Sequence, residues 1–277
     1  MLSRRTFLKA GLLFGGIALT EGFLIEPRGF AVERTTIPIK GLPPSLDGFT
    51  ICQVTDIHFG PAVGSPFIKN IIETANALKP DLIALTGDYI EGEKRHVGPV
   101  VKLLKGLKAR LGVVTILGNH DHYAGSGYTE DLLASNGFKP LQNSHTMIES
   151  GKGTLCVAGV RDYLEDRPDA KEALKGVPDD VPRILLSHHP DYAEELPTDE
   201  RIDLVISGHT HGGQVRLPFA FAPILPSRYG QKYSGGLVAL TRKEGTRVYV
   251  SRGIGMSIIP VRFNCPPELT LLTLKAA

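Results

Sequence analysis

Short apolar runs alternate along the chain with stretches whose apolar residues recur at helical spacing. Residues 49–55, 82–86 and 113–117 form runs of strand length that are rich in β-branched side chains, which is typical of buried strands. Between these runs, one helix is predicted to begin at Ser65-Pro66, a favoured start, and a second is predicted around 100–107. This alternation predicts an α/β fold in which helices cover a central sheet.

The second half of the chain is richer in strands than the first. Further apolar runs lie at 154–160, 184–187, 204–207, 236–240, 247–251 and 269–274, with no strong helical pattern among the last three. Upstream, the proline-containing residues 32–48 predict a linker and an edge strand. A length of 277 residues without visible repeats fits one large domain, which we place at residues 32–277.

The N-terminus has the pattern of an export signal. Arg4 and Arg5 precede Phe7-Leu8-Lys9 and a weakly apolar stretch at 10–19, an order that resembles a twin-arginine signal. The alternative is a basic membrane anchor, but this stretch is shorter than the roughly 20 residues that span a bilayer. We predict a signal or anchor at residues 1–31, the twin-arginine translocase as partner, and a location in the periplasm or at the outer face of the cytoplasmic membrane. No clear cleavage site follows, which leaves removal and retention both open.

Composition excludes several kinds of partner and site. A net charge of +2 and the absence of Trp argue against nucleic acid, so no nucleic-acid partner is expected. The three cysteines are widely spaced and form no CxxC pair, which excludes a zinc ribbon and disfavours a disulfide framework. Cys52 and Cys156 lie in strand-like runs and are expected to be buried free thiols.

Five short polar motifs each follow a strand-like run. They are Asp56-Ile57-His58, Gly87-Asp88, Gly118-Asn119-His120-Asp121, Ser187-His188-His189 and Gly208-His209-Thr210-His211. Taken singly, each motif is more often a turn or a polar pair than a ligand set. Together they hold six of the nine histidines, and loops at strand carboxyl ends converge in layered α/β folds. Carboxylate, amide and imidazole groups without thiolate suit Mn, Fe, Zn or Co.

This ordered series resembles the calcineurin-like metallophosphoesterase family over about residues 49–214. Residues 251–255 and 262–268 are similar to segments of exported bacterial phosphodiesterases, a branch that includes twin-arginine members. The resemblance implies a four-layer α-β-β-α sandwich with a strand-rich C-terminal part. It also implies a hydrolase that depends on two divalent metal ions.

The resemblance further implies a role for each motif residue. One ion would be held by Asp56, His58, Asp88 and His211. The other would be held by Asp88, Asn119, His188 and His209, so that the carboxylate of Asp88 is shared. A hydroxide bridging both ions would attack phosphorus in line with the leaving group. His120 would stabilise the transition state or protonate the leaving oxygen, and Glu91 would be the acid that orients this histidine.

One departure from the family pattern bears on the substrate. Members that dephosphorylate proteins carry Arg-Gly just after the acidic residue, where this chain has Gly92-Glu93. Because that arginine helps to bind monoester phosphate, a small phosphodiester, pyrophosphate or phospholipid-like substrate is expected instead. The proline-rich, apolar loop at 217–236 is either an irregular packed loop or a lid that selects an amphiphilic substrate.

Two alternative functions stay open. A UDP-2,3-diacylglucosamine-type lipid-nucleotide pyrophosphatase is disfavoured by export, because its substrate is cytoplasmic. A non-catalytic metal-binding envelope protein is disfavoured because His120 and the bridging Asp88 are both present.

The export hypothesis predicts that replacing both Arg4 and Arg5 by Lys strands the protein in the cytoplasm, because paired arginines are what this pathway recognises. Fractionation of cells that express each form measures the distribution. Unchanged secretion of the Arg4→Lys, Arg5→Lys variant would refute the prediction.

Overall fold

The computed structural model describes residues 18–151, 153–217, 219 and 221–277, together with 5, 9, 13, 15 and 16. Its strands are β1 (Ala31–Ile39), β2 (Thr50–Val54), β3 (Leu82–Thr86), β4 (Val113–Ile116), β5 (Lys139–Pro140), β6 (Ser144–Glu149), β7 (Thr154–Gly159), β8 (Arg183–Leu186), β9 (Leu204–Ser207), β10 (Gly236–Ala239), β11 (Arg247–Val250) and β12 (Glu268–Ala276). Its α-helices are α1 (Ser65–Ala77), α2 (Val97–Leu104), α3 (Asn119–Tyr123), α4 (Ser126–Ser135) and α5 (Ala170–Ala173).

Part of the predicted export signal lies outside the described residues, including Arg4 and half of the stretch at 10–19. Within the part of the chain that is described, no helix combines the length and the apolar character needed to cross a membrane. The signal and the boundary at residue 31 therefore stay predictions.

The described strands form two six-stranded sheets. In the first sheet the order is β1-β12-β2-β3-β4-β5, in which β2 to β5 are parallel. In the second sheet the order is β10-β11-β9-β8-β7-β6, in which β11, β9, β8 and β7 are parallel. β1 lies at an edge of the first sheet, in agreement with the edge strand predicted upstream of residue 48.

Apolar side chains on both faces of each sheet create four layers. Ile51 and Ile116 of the first sheet pack against Leu186 and Ile206 of the second in a buried core between the sheets. On the outer face of the first sheet, α1, α2 and α4 bury their apolar faces, and α5 with the turn Pro190–Glu195 covers the second. The α-β-β-α sandwich expected from the sequence is confirmed, and no α-helix follows α5 in the strand-rich C-terminal part that the structure describes.

The two sheets approach each other closely at β4 and β7. A Cβ atom at Gly159 of β7 would lie 2.6 Å from Ile116 Cγ2 of β4, so only glycine permits this approach. The buried Gln53 side chain of β2 donates to the Ser207 carbonyl of β9 at 2.9 Å. This contact ties the carboxyl ends of strands from both sheets together, and the loops that follow them converge there.

Candidate metal centre

The five motifs that follow strand-like runs in the sequence converge at this edge. β2, β3 and β4 of the first sheet lead into Asp56, Asp88 and Asn119, whereas β8 and β9 of the second lead into His188 and His209. Asp56, His58, Asp88, Asn119, His188 and His211 are all buried, and His209 is partly buried. Polar groups that have left water in this way need partners, because an uncompensated buried charge is costly.

Left-handed backbone turns aim these side chains inward. Positive φ angles between 47° and 66° occur at Asp56, His58, Asp88, His209 and His211. Residues other than glycine rarely adopt this conformation, and it persists where surrounding contacts over-determine it, often at functional sites. The turns therefore cost local backbone energy, but they direct these side chains toward one another.

Two motif glycines leave room for the carboxylates. A Cβ atom at Gly118 would lie 2.3 Å from Asp88 Oδ1, and one at Gly208 would lie 2.1 Å from Asp56 Oδ2. Neither position could carry a side chain without displacing a carboxylate. The glycines that precede Asn119 and His209 are therefore part of the site's architecture.

The carboxylate of Asp88 lies between imidazoles from opposite sheets. Its Oδ2 atom is 3.4 Å from His58 Nε2 and 3.2 Å from His188 Nε2. On the first side, His58 Nε2 is 3.0 Å from His211 Nε2, which is 3.4 Å from Asp56 Oδ1. These atoms form groups whose members all lie within 4.8 Å of one another.

His209 completes the second side of the cluster. Its ring lies near His188, with 5.3 Å between centroids, and against His189, with 3.6 Å between centroids. His189 directs Nε2 toward Asp162 Oδ2 at 3.2 Å, which is the arrangement of a supporting residue more than of a ligand. Asn119 lies on the same side and lines the cleft with His209.

Contacts behind the cluster fix which ring nitrogens face inward. His188 Nδ1 lies 2.8 Å from the Thr86 carbonyl, which can only accept, so this nitrogen is a donor and Nε2 is the nitrogen that would face a cation. His58 Nδ1 lies 2.6 Å from Glu91 Oε2, so His58 Nε2 is likewise the inward-facing nitrogen. Carboxylate or carbonyl partners of this kind orient metal-ligating histidines.

The protein's own charges perturb the pKa values of these groups strongly. Burial lowers the pKa of both His209 and His211 well below the usual value, and nearby cationic groups lower it further. For Asp88, burial opposes ionisation, but the charges of His188 and His58 hold its pKa well below the usual value. Burial lowers the pKa of His188, but the Asp88 and Asp56 carboxylates raise it overall to about 10, and Glu91 and Asp88 likewise raise the pKa of His58. Without cations these two imidazoles carry a proton, which metal ligation would displace.

The donor set fits divalent cations. Asn119 donates its Nδ2 to the Tyr123 hydroxyl at 3.3 Å, and its buried Oδ1 has no hydrogen-bond partner among the described residues. His58 Nε2 lies 3.0 Å from His211 Nε2 and 3.4 Å from Asp88 Oδ2, and His211 Nε2 lies 3.4 Å from Asp56 Oδ1. Two buried carboxylates this close together need positive charge among them, which protons on the imidazoles or metal cations can supply. Nitrogen and oxygen donors without thiolate favour Mn, Fe, Zn or Co.

His120 lies beside this cluster, and its contacts fix the orientation of its ring. Its Nδ1 donates to the Glu91 carbonyl at 3.1 Å, its backbone N–H donates to Asp88 Oδ1 at 2.9 Å, and its Nε2 lies 3.3 Å from Ser257 Oγ. Nε2 thus faces a cleft of about 380 Å³ that His120 lines with Asp88.

The position of Glu91 differs from the expectation. Its carboxylate was expected to orient His120, but it contacts His58 Nδ1 and accepts from the Ile258 N–H at 2.9 Å. Only the backbone carbonyl of Glu91 contacts His120. The side chain of Glu91 points toward His58, a candidate metal ligand, and its backbone carbonyl faces His120. Glu91 therefore orients both histidines, one with its carboxylate and one with its carbonyl.

Three supporting residues had no role assigned from the sequence. Asp121 accepts from the backbone N–H groups of Asp88, Tyr89 and Gly118. Gln214 exchanges two hydrogen bonds with the backbone of Ser257, at 2.8 and 3.0 Å. The fully buried Arg262 donates to several carbonyls around residues 252–265 and lies 3.4 Å from His211 Nδ1. Asp121 lies in a quoted motif and Arg262 in the segment 262–268, but hydrogen bonds between distant loops are invisible in a linear pattern.

The chain matches a known family and several known proteins. The description of the matching family is calcineurin-like phosphoesterase, over residues 49–213. An uncharacterized metallophosphoesterase of Bacillus subtilis, YkuE, is 36% identical over 288 residues, which cover 99% of this chain and 98% of that protein. The phosphodiesterase YaeI of Escherichia coli is 32% identical over 285 residues, 99% of this chain and 100% of that protein.

A solved structure shares the fold. The 5'-nucleotidase precursor of Thermus thermophilus superposes with a TM-score of 0.51 at 15% identity, covering 74% of this chain and 49% of that one. At this identity the likeness concerns the fold alone.

The bonds of Asp121 predict a specific defect in the Asp121→Asn variant. Burial and the nearby charge of Asp88 raise the pKa of Asp121 to about 7, so the carboxylate is ionised at pH 8. An amide there would set an N–H₂ group against a backbone N–H, and we expect a loss of about 1–3 kcal/mol in the free energy of unfolding.

Urea denaturation at pH 8 measures this change. Asp131→Asn, at an exposed position of α4, is the control and should unfold as the wild type does. Equal stability of the two variants would show that Asp121 does not hold the loops together.

Proposed function

Because the chain belongs to the calcineurin-like phosphoesterase family and is a metal-dependent phosphoesterase, we propose that it uses two divalent cations to cleave phosphodiester or pyrophosphate bonds. The observation that carries this proposal is the Asp88 carboxylate between imidazoles of the two sheets, 3.4 and 3.2 Å from His58 and His188. Two nearby cations need such a shared anion to offset their repulsion.

The residues divide into two sets around Asp88. Asp56, His58, Asp88 and His211 would hold one cation, and Asp88, Asn119, His188 and His209 would hold the other. Mn, Fe, Zn or Co in these positions would supply Lewis acidity for the phosphoryl oxygens and would acidify the attacking water. Glu91 keeps His58 Nε2 directed inward, and the Thr86 carbonyl does the same for His188.

His120 is the proton donor of the proposed reaction. Its Nδ1–H is committed to the Glu91 carbonyl, so proton exchange with a substrate takes place at Nε2. That nitrogen faces the cleft, where Ser257 Oγ at 3.3 Å is its protein neighbour. A protonated Nε2 can donate to the leaving oxygen as the ester bond breaks.

The walls of the cleft favour substrates of low charge. Among the described residues that line it, none is Lys or Arg, and Gly92-Glu93 stand where protein phosphatases of the family carry Arg-Gly. A dianionic monoester would find no fixed side-chain cation beyond the metal ions, whereas a diester carries one negative charge fewer. The relative whose name is phosphodiesterase YaeI supports the same substrate class.

A lipid-nucleotide pyrophosphatase is the second candidate. Apolar side chains at the cleft mouth, Ile224 and Ile258, would suit an acylated substrate. We propose export through the twin-arginine translocase to the periplasm or outer membrane face, on the pattern of Arg4 and Arg5, and a UDP-linked substrate would not be found there. Export of a folded chain would also allow metal loading in the cytoplasm.

Activity of the purified protein with Mn²⁺ tests the proposal. We expect a chromogenic diester to be hydrolysed faster than the matched monoester. Asp88→Asn should abolish both activities because it removes the shared anion, and His120→Ala should lower diester turnover by about 10²–10⁴-fold because it removes the proton donor.

Asp131→Asn serves as the control and should keep wild-type activity. An Asp88→Asn variant that retained full activity would rule out the two-ion assignment. Faster hydrolysis of a UDP-linked lipid than of the diester would instead favour the second candidate.

A further inference from the structure

Large apolar side chains are exposed on three segments beside the cleft. Phe219 and Ile258 are 103% and 91% exposed, and Ile224 is 80% exposed. Leu217, Phe221 and Ile259, together with Phe23, Leu24 and Ile25 near the N-terminus, are each at least 42% exposed. We call these nine side chains the apolar rim. Soluble proteins rarely expose so many large apolar groups close together without a function.

Backbone hydrogen bonds join the three segments into one surface. The N–H of Arg216 donates to the Phe263 carbonyl, and the N–H of Phe263 donates to the Gln214 carbonyl, both at 2.9 Å. The N–H of Arg262 donates to the Gly22 carbonyl at 2.9 Å. The apolar side chains around residues 23, 219 and 258 are therefore carried by neighbouring strips of chain.

This surface borders the mouth of the metal centre. Ile224 and Ile258 line the same cleft as Asp88 and His120. Ile258 also has a φ of 66°, a strained conformation for a β-branched residue. The Glu91 carboxylate and the Gln214 side chain hold the backbone at 257–258 in place, so the apolar tip is fixed beside the cleft.

Two of the three rim segments carry no acidic residue. Residues 214–229 and 256–265 contain Arg216 and Arg228 but no Asp or Glu, and Arg262 there is fully buried. The N-terminal segment carries Glu21 and Glu26, and the Glu26 carboxylate accepts from the backbone N–H groups of Asn264 and Cys265. Arg28 and Arg228 are exposed. Cations that flank exposed apolar side chains match the headgroup and acyl layers of an anionic membrane surface.

We infer that the apolar rim inserts into an anionic lipid surface and presents the metal cleft to phosphodiesters lying in that surface. The rim projects from separate loops as individual exposed tips, which suits a fluid lipid layer more than the fixed surface of a second copy. The weakly apolar stretch at 10–19 leads into residues 22–28, so a membrane-bound N-terminus would bring this same face to the bilayer. The substrate class rests on the proposed function, whereas the docking does not.

The absence of Trp from the chain gives a direct test of docking. The variants Phe219→Trp and Phe23→Trp each carry a sole Trp in the rim, and Leu237→Trp on β10 carries one outside it. Full-length proteins are mixed with phosphatidylglycerol vesicles with and without brominated acyl chains. We expect bromine to quench the two rim tryptophans by roughly half, because an inserted side chain reaches the acyl boundary, and to leave Leu237→Trp unchanged.

Other results would overturn the inference. Binding to vesicles without quenching of Phe219→Trp would show that the N-terminus alone attaches the chain. A rim Trp that is quenched by no vesicle but shifts with protein concentration, alongside dimers in light scattering, would identify a second copy as the occupant.

A second arm tests the substrate. In the presence of Mn²⁺, the Phe219→Ser, Ile259→Ser variant should lose about tenfold in hydrolysis of a diacylglycerol p-nitrophenyl phosphodiester in vesicles, because docking is weakened. Hydrolysis of soluble bis-p-nitrophenyl phosphate should be unchanged, and Tyr128→Ser, Leu237→Ser is the control. Equal activity of all forms on vesicles would contradict lipid-surface substrates, whereas wild-type protein inactive on both substrates would contradict the proposed function and leave the quenching result to judge docking.

Discussion

The arrangement of this protein depends on one carboxylate, that of Asp88, which lies between imidazoles supplied by two different sheets. The side chains of Asp56, His58, His188 and His211 converge around it. Such a cluster is stable only when positive charge lies within it. The fold is therefore a frame that holds two carboxylates and their imidazole partners where metal cations can replace the protons of His58 and His188.

Several features that look unfavourable in isolation serve this frame. The left-handed backbone at Asp56, Asp88 and His209 costs about 1–3 kcal/mol at each such residue, and cation binding can offset that cost because it contributes to folding free energy. Two buried polar side chains fix the loops that carry these residues. Gln53 donates from one sheet to the other, and Asp121 accepts from three backbone N–H groups. Exposed apolar side chains, among them Ile224 and Ile258, border the cleft above the centre.

Much of the fold could be predicted from the sequence because its determinants are local. The runs at 82–86 and 204–207 coincide with β3 and β9, and the helix start at Ser65 coincides with α1, although its N-cap is Gly64. The second helix is Val97–Leu104 rather than 100–107. β6 and α4 were not predicted because only one residue of β6 is buried and α4 has a weak apolar face. Cys52 and Cys156 are buried free thiols, as expected.

The motif residues could be foreseen for a similar reason, since each follows a strand whose carboxyl end points to the same edge. Their partners could not be foreseen. Glu91 contacts His58 with its carboxylate and His120 with its carbonyl, and Ser257 lies 137 residues from His120 in the chain. Such pairings are set by how distant loops pack, so a linear pattern carries no signal for them.

The number and position of bound cations test the account most directly. Crystals grown with Mn²⁺ and measured near the manganese absorption edge should show two anomalous peaks about 3.5–4 Å apart, the usual separation in two-metal sites, on either side of the Asp88 carboxylate. A single peak, or two peaks that do not share Asp88, would contradict the account.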